Sequence, residues 1–162
     1  MNRSNDIILK PQFIFWIISN LPVFTVLFIT VIVSYHFKHY EIAKIIGSSL
    51  SLIVLLFLFY KYIDLLICTK WIITKEQIII KKGVFFKTIN YIELYRVYDY
   101  EEKKSFIQAL VANTNISIHS GDKSHPVLEM CGLKEDNNII PVIRERVESQ
   151  RETKQIYEFT NR

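Results

Sequence analysis

Residues 71–118 have the sequence WIITKEQIIIKKGVFFKTINYIELYRVYDYEEKKSFIQALVANTNISI, in which short apolar and β-branched runs are separated by charged or glycine-containing breaks. Runs of this kind, bounded by turn residues, are typical of β-strands. Lys75 and Glu76 form the first predicted turn, and Gly83 lies at the second. The pattern predicts an antiparallel meander with strands at residues 71–74, 77–82, 84–90 and 92–104.

A short helix and a β-hairpin are expected after the meander. Ser105 is a suitable N-cap for a helix over residues 106–112. The hairpin is predicted from the alternation in residues 115–120, the turn at Gly121-Asp122 and the run at residues 126–131.

The last predicted element is an amphipathic helix over residues 138–153. Its apolar positions recur at helical spacing and would pack on the sheet: Ile139, Ile140, Ile143 and Val147. Strands closed by a helix predict an α+β domain, built as an antiparallel β barrel or a bent sheet capped by the C-terminal helix.

The N-terminal half is far more apolar than the rest. Residues 1–68 hold eight of the 36 Lys, Arg, Asp and Glu residues, and residues 13–37 hold none. A helix over residues 13–37 would be about 37 Å long, enough to cross a hydrocarbon core of about 30 Å. The composition predicts one transmembrane helix at residues 13–37, kinked at Pro22, and a second at residues 45–68.

The loop between the predicted spans is short, so the helices should form an antiparallel hairpin with both chain ends on one side. Five basic residues flank the spans on that side and two lie in the loop, which favours cytoplasmic termini and an inner-membrane location. The small residues Gly47, Ser48, Ser49 and Ser51 suit close helix contact. The expected order is a cytoplasmic N-terminus (1–12), a membrane helix (13–37), a loop (38–44), a membrane helix (45–68) and the β domain (69–162).

Several classes of function are not supported by the sequence. The net charge of +4 is dispersed, so no nucleic-acid partner is expected. The four glycines are scattered and form no phosphate-binding loop. The only cluster with metal-capable atoms has no standard zinc spacing: His119, Asp122, His125 and Cys131. We therefore expect a protein that is not an enzyme and has no catalytic residue, metal or cofactor, with Cys68 and Cys131 as free thiols.

Two groups of residues are candidates for binding. Lys81, Lys82 and Lys87 flank the Gly83 turn and could meet anionic lipid headgroups, although an ordinary solvated hairpin tip is the alternative. Tyr95 and Tyr98 could contact a protein partner, although packing within the sheet is the alternative.

The chain resembles the membrane-anchored bacterial pleckstrin-homology proteins of the YdbS-like type. The resemblance is carried by two N-terminal spans, the aromatic-x-x-Thr strand at residues 71–74, the strand that ends at Gly83, and the pattern of Leu94, Arg96 and Asp99 before a short helix. The family usually has glycines after that helix, where this chain has VANTN at residues 111–115. The resemblance implies a pleckstrin-homology barrel with a binding or scaffolding role.

We therefore expect a non-enzymatic interaction or scaffold protein, integral to the membrane, that acts through a protein partner or as a homo-oligomer. Two alternatives are an anionic-lipid sensor at the inner leaflet and a small membrane immunity or resistance factor in which the helices act.

Overall fold

The computed structural model describes residues 6–37, 39–136 and 139–155. Its helices are α1 (Phe13–Ser19), α2 (Leu21–His36), α3 (Glu41–Tyr62), α4 (Phe106–Leu110) and α5 (Ile139–Thr153). Its strands are β1 (Ile7–Leu9), β2 (Lys70–Ile73), β3 (Gln77–Lys82), β4 (Thr88–Glu93), β5 (Val97–Lys103), β6 (Asn113–Ser120) and β7 (Val127–Lys134). A π-helical turn, Ile63–Cys68, continues α3, and a 3-10 turn, Leu94–Arg96, joins β4 to β5.

The strands form two antiparallel sheets, a first sheet in the order β1-β2-β3-β4 and a second sheet in the order β5-β6-β7. Alternate side chains of both sheets point into one shared core, whose fully buried members include Ile73, Ile78, Ile92, Ile118 and Met130. The inward face of α5 packs on this core through Ile143 and Val147. The predicted α+β domain with a C-terminal helix is confirmed.

The two sheets remain separate instead of closing into the predicted barrel, since no strand ladder joins them within the described ranges. The Gln12 N–H donates to the Gly132 carbonyl at 2.7 Å, and this single bond links the chain after β1 to β7. A cleft of about 330 Å³ lies at the open corner between β1, the end of β7 and α5.

The predicted strand at residues 92–104 is divided between the two sheets. Leu94 lies in the 3-10 turn and is wholly buried. Because the chain crosses from the first sheet to the second while Leu94 stays in the core, the extended backbone is interrupted there. The strand predicted at residues 84–90 instead begins at Thr88 and continues to Glu93, because Gly83 adopts a left-handed conformation with φ +97° and residues 83–87 form a loop before β4.

The helix at Ser105 is confirmed, although it ends at Leu110 instead of Ala112. The Ser105 hydroxyl accepts from the Gln108 N–H at 3.3 Å, and the Gln108 side chain accepts from the Ser105 N–H at 2.9 Å, which completes a capping box. Ala112 has φ +49°, a conformation in which a glycine would be favoured. The helix therefore cannot continue through this residue.

Replacing Ala112 with glycine is expected to stabilise the domain. Left-handed backbone costs a residue with a side chain about 1–2 kcal/mol, and added freedom of the unfolded chain offsets about 0.4–1 kcal/mol of the relief. The expected net gain of up to about 1 kcal/mol would raise the Tm of the purified full chain by a few degrees. Ala109→Gly, inside α4, is the matched control and should lower the Tm. An Ala112→Gly Tm at or below that of the natural chain would contradict the prediction.

The predicted helix at residues 13–37 is two helices, α1 and α2, bent by 62° at Asn20. Pro22 lies in the first turn of α2, where its missing N–H costs little, so the break precedes the proline. The Asn20 side chain donates to the Trp16 carbonyl at 2.8 Å and covers the end of α1.

One helix of the described chain is long and apolar enough to cross a membrane, and the bent α1–α2 pair gives a second if it is counted as one span. The long helix comprises α3 and the π-helical turn, 28 residues in all. Only 6% of its most apolar 18-residue stretch is buried inside the protein.

Helices α2 and α3 pack closely as an antiparallel pair. A Cβ on Gly47 would overlap the Ser34 side chain, and the Ser51 hydroxyl donates to the Thr30 hydroxyl at 3.3 Å. Ser48 and Ser49 instead face outward and donate to carbonyls of their own helix. Two of the four predicted small residues, Gly47 and Ser51, therefore form the contact.

Strand β1 was not expected from the sequence. Ile7, Ile8 and Leu9 pair with Ile73, Ile72 and Trp71 of β2, so the helical hairpin is inserted between two neighbouring strands of the first sheet. The start of the β domain at residue 69 stays a prediction. Residues 7–9, which precede the hairpin, contribute an edge strand to the first sheet of that domain.

Candidate functional site

The two-sheet domain is joined to the hairpin through α1. Phe15 packs on Gly132, which has φ +73° and no space for a Cβ against the Phe15 ring. The Asn113 side chain donates to the Gln12 side chain at 3.2 Å beside this contact. An aromatic cluster of four rings, 5.5–6.4 Å apart, then connects α1 to the hairpin: Phe13, Trp16, Phe24 and Tyr62.

Large apolar side chains are exposed close to this junction, on the loop that contacts Tyr60 and on α4, which contacts α1. Phe85 and Phe86, in the loop between β3 and β4, are 80% and 89% exposed. Phe106 and Leu110, on α4, are 80% and 71% exposed. We call these four residues the apolar rim.

The three predicted headgroup lysines lie together at one end of the first sheet. Lys81 and Lys82 end β3, Lys87 precedes β4, and all three are exposed around the loop at residues 83–87. The loop is also close to the hairpin, because the Phe85 ring stacks on that of Tyr60. Their role in lipid binding stays a prediction.

The two predicted protein-contact tyrosines differ in exposure. Tyr95 follows β4 at the opposite end of the first sheet, about 20 Å from the loop by strand rise. It is half-buried, with the Lys154 ammonium 4.1 Å from its ring centroid and its hydroxyl bonded to Glu93, which lowers the pKa of that carboxyl. Tyr98 is 61% exposed beside His119. Tyr95 thus helps to hold α5, whereas Tyr98 is open to contact.

A second apolar surface, which the sequence reasoning missed, crosses the outward face of the first sheet. The strand register aligns four side chains from four strands in one row: Ile8, Ile72, Ile79 and Tyr91. The ends of the row are the most exposed, with Ile8 at 58% and Tyr91 at 54%. The sequence signal for this surface was the unbroken run of Ile78, Ile79 and Ile80, because a strand with one solvated face should alternate apolar and polar residues.

The metal-capable cluster has an ordinary structural role. The Ser124 and His125 N–H groups donate to the Asp122 carboxylate at 2.8 and 3.3 Å, which lowers the pKa of this carboxyl within a turn. Burial raises the pKa of the half-buried Cys131 thiol, so that it remains protonated near neutral pH. Within residues 6–37, 39–136 and 139–155, no group of three or more His, Cys, Asp or Glu residues is arranged to hold a metal ion.

Two antiparallel sheets followed by a packed C-terminal helix define a PH-like domain. The chain belongs to the bacterial PH domain family, whose model, described as "Bacterial PH domain", matches residues 11–147. The matched range includes helices α1, α2 and α3 as well as most of the two sheets. No curated protein and no solved structure matches the chain.

Family membership gives the function in coarse terms. PH domains are typically non-catalytic modules that bind lipids or proteins, and no enzyme family is indicated for this chain. The predicted resemblance to bacterial pleckstrin-homology proteins is confirmed at this level.

Proposed function

We propose that this protein is a membrane-anchored, non-enzymatic PH module that presents its two-sheet domain as an interaction scaffold at the cytoplasmic face of the cell membrane. The observation that carries the proposal is the bare apolar surface of the hairpin. Phe28, Ile42 and Ile53 are 67%, 75% and 62% exposed, α2 has no buried residue, and Leu58 is the buried residue of α3. Such a surface is stable in a bilayer and prone to aggregate in water.

The internal contacts of the hairpin also suit a membrane. Gly47 allows a close approach to α2, and hydroxyl groups bond either within their own helix or across the pair, as between Ser51 and Thr30. Small residues and satisfied hydroxyls are the usual means by which helices associate in lipid.

The cytoplasmic orientation follows from the distribution of basic residues. The loop at residues 38–44 has two lysines, whereas the side that carries the domain has Arg3, Lys10, Lys61, Lys70 and Lys75 close to the spans. The positive-inside rule favours the cytoplasm for the more basic side. An integral hairpin in this orientation binds the lipid bilayer directly and exposes the two sheets to cytoplasmic proteins.

Cysteine labelling tests both the span and its direction. In a full-length chain with Cys68→Ser and Cys131→Ser, one cysteine is introduced at His39 in the hairpin loop or at Lys123 in the exposed turn after β6. A membrane-impermeant maleimide should label His39→Cys in spheroplasts and Lys123→Cys only after permeabilisation, and carbonate should not extract the chain. Labelling of Lys123→Cys from outside would reverse the orientation. Extraction by carbonate would remove the membrane anchor from the proposal.

A further inference from the structure

The apolar rim has no covering element among the described residues, and its position beside the hairpin identifies what covers it. We propose that Phe85, Phe86, Phe106 and Leu110 insert into the membrane leaflet from which α1 and α3 emerge, so that the two-sheet domain rests on the bilayer in one fixed orientation. This inference rests on the proposed function, because it requires the hairpin to span the membrane.

The loop at residues 83–87 lies at the depth of the membrane interface. The Phe85 and Tyr60 rings stack with centroids 6.0 Å apart and planes 11° apart. Tyr60 ends the uncharged stretch of this helix, residues 45–60, and Lys61 and Asp64 follow it. Aromatic side chains at the end of such an apolar stretch locate the headgroup region. Phe86, the next residue, is 89% exposed and therefore projects from the loop at this level.

Helix α4 lies on the side of α1, close to the place where the chain emerges from the membrane. The 62° bend turns α1 away from the axis of α2, so that α1 runs toward the plane of the membrane surface. Helix α4 lies against α1, with Phe106 and Leu110 exposed. The rim therefore lies against the hairpin at Phe85 and against α1 at α4.

Shape and charge favour lipid over another protein. The rim residues are 71–89% exposed and project from a loop and a short helix, and a leaflet deforms around two such projections at once. The exposed Lys82 and Lys87 beside the loop would meet anionic headgroups favourably. If the apolar rim packed instead on the rim of a second copy, Lys82 and Lys87 would lie opposite the same lysines of that copy, and these like charges would repel each other.

Depth-dependent quenching tests the insertion. In the full-length Cys68→Ser, Cys131→Ser background, single cysteines replace Phe86, Leu110, Ile53 or Lys123 and carry the fluorophore NBD. The proteins are reconstituted in vesicles of phosphatidylcholine and phosphatidylglycerol. Nitroxide-labelled lipid should quench NBD at positions 86 and 110 at least twofold more than at 123, whereas aqueous iodide should show the reverse order.

The four positions separate the possible outcomes. Quenching by iodide alone at 86 and 110, with lipid quenching retained at 53, would overturn the insertion and leave the membrane anchor intact. Protection from both quenchers at 86 and 110 would mean that protein covers the rim, which also overturns the insertion. Loss of lipid quenching at 53 would contradict the proposed function itself.

Discussion

Ile143→Asp is expected to unfold the two-sheet domain and, in the membrane arrangement proposed above, to leave the hairpin in place. Ile143 is wholly buried between α5 and the core, and an aspartate there would bring an unpaired carboxylate or a neutralised acid into an apolar site. The cost of several kcal/mol is a large part of the stability of about 5–15 kcal/mol typical of a domain. Limited proteolysis of membranes that contain the full chain should show rapid loss of the domain.

Glu145→Asp provides the matched control, because it introduces the same residue at an exposed position of α5. The control should resist proteolysis like the natural chain. If Ile143→Asp resisted equally, α5 would not be docked on the sheets as described.

Gly132→Val is expected to displace α1 from the second sheet. Valine at φ +73° would be strained by about 1–2 kcal/mol, and its side chain would overlap the Phe15 ring, at a packing cost of about 1–3 kcal/mol. The hydrogen bond from the Gln12 N–H to the Gly132 carbonyl lies at the same contact. A lower Tm of the full chain, together with increased protease cleavage between α1 and α2, would report the displacement.

Gly121→Val separates the special geometry of Gly132 from a general effect of added bulk. A Cβ on Gly121 would lie 3.8 Å from the Arg96 carbonyl oxygen, an ordinary contact, and its φ is not left-handed. This control should change the Tm little. A double variant of Phe15→Ala and Gly132→Val should recover only the part of the packing loss that comes from the ring, because the Phe15 Cβ itself would lie 2.6 Å from a Cβ on Gly132, and it should retain the backbone strain. Equal losses at both glycines would contradict the special role of Gly132.

The sequence predicted those elements whose signals are local. Strand β3 has the predicted bounds because three isoleucines fill its middle and the predicted turns at Glu76 and Gly83 lie directly before and after it. The start of α4 followed from Ser105, and the buried face of α5 from the spacing of Ile143 and Val147. Each of these features depends on residues within one turn or one strand of each other.

The features that were missed depend on contacts between distant segments. Strand β1 has three residues and no turn signal, and its partner β2 comes after the whole hairpin. Pro22 indicated a bend, but the break lies at Asn20 because proline is accommodated in the first turn of α2. The contact of Tyr95 with Lys154 joins the 3-10 turn after β4 to the residue that follows α5, which the local pattern of either segment does not reveal.

The candidate surfaces were predicted only where their residues are close in sequence. Lys81, Lys82 and Lys87 are close in sequence, so their grouping around one loop followed from a hairpin. The row from Ile8 to Tyr91 is assembled from four strands. The apolar rim combines the loop between β3 and β4 of the first sheet with α4, which connects β5 and β6 of the second sheet. Such surfaces become visible only when the register and the packing are known.

Insertion of the hairpin between β1 and β2 also sets an order for biosynthesis. Leu9 leaves the ribosome before its partner Trp71, and at about 5–20 residues per second the delay is roughly 3–12 s. During this interval β1 has no partner strand. If the hairpin spans the membrane as proposed, both helices must enter the bilayer and return the chain to the side of β1 before β1 and β2 can pair. A chain with just one helix inserted would then hold β1 and β2 on opposite sides of the membrane, unable to pair.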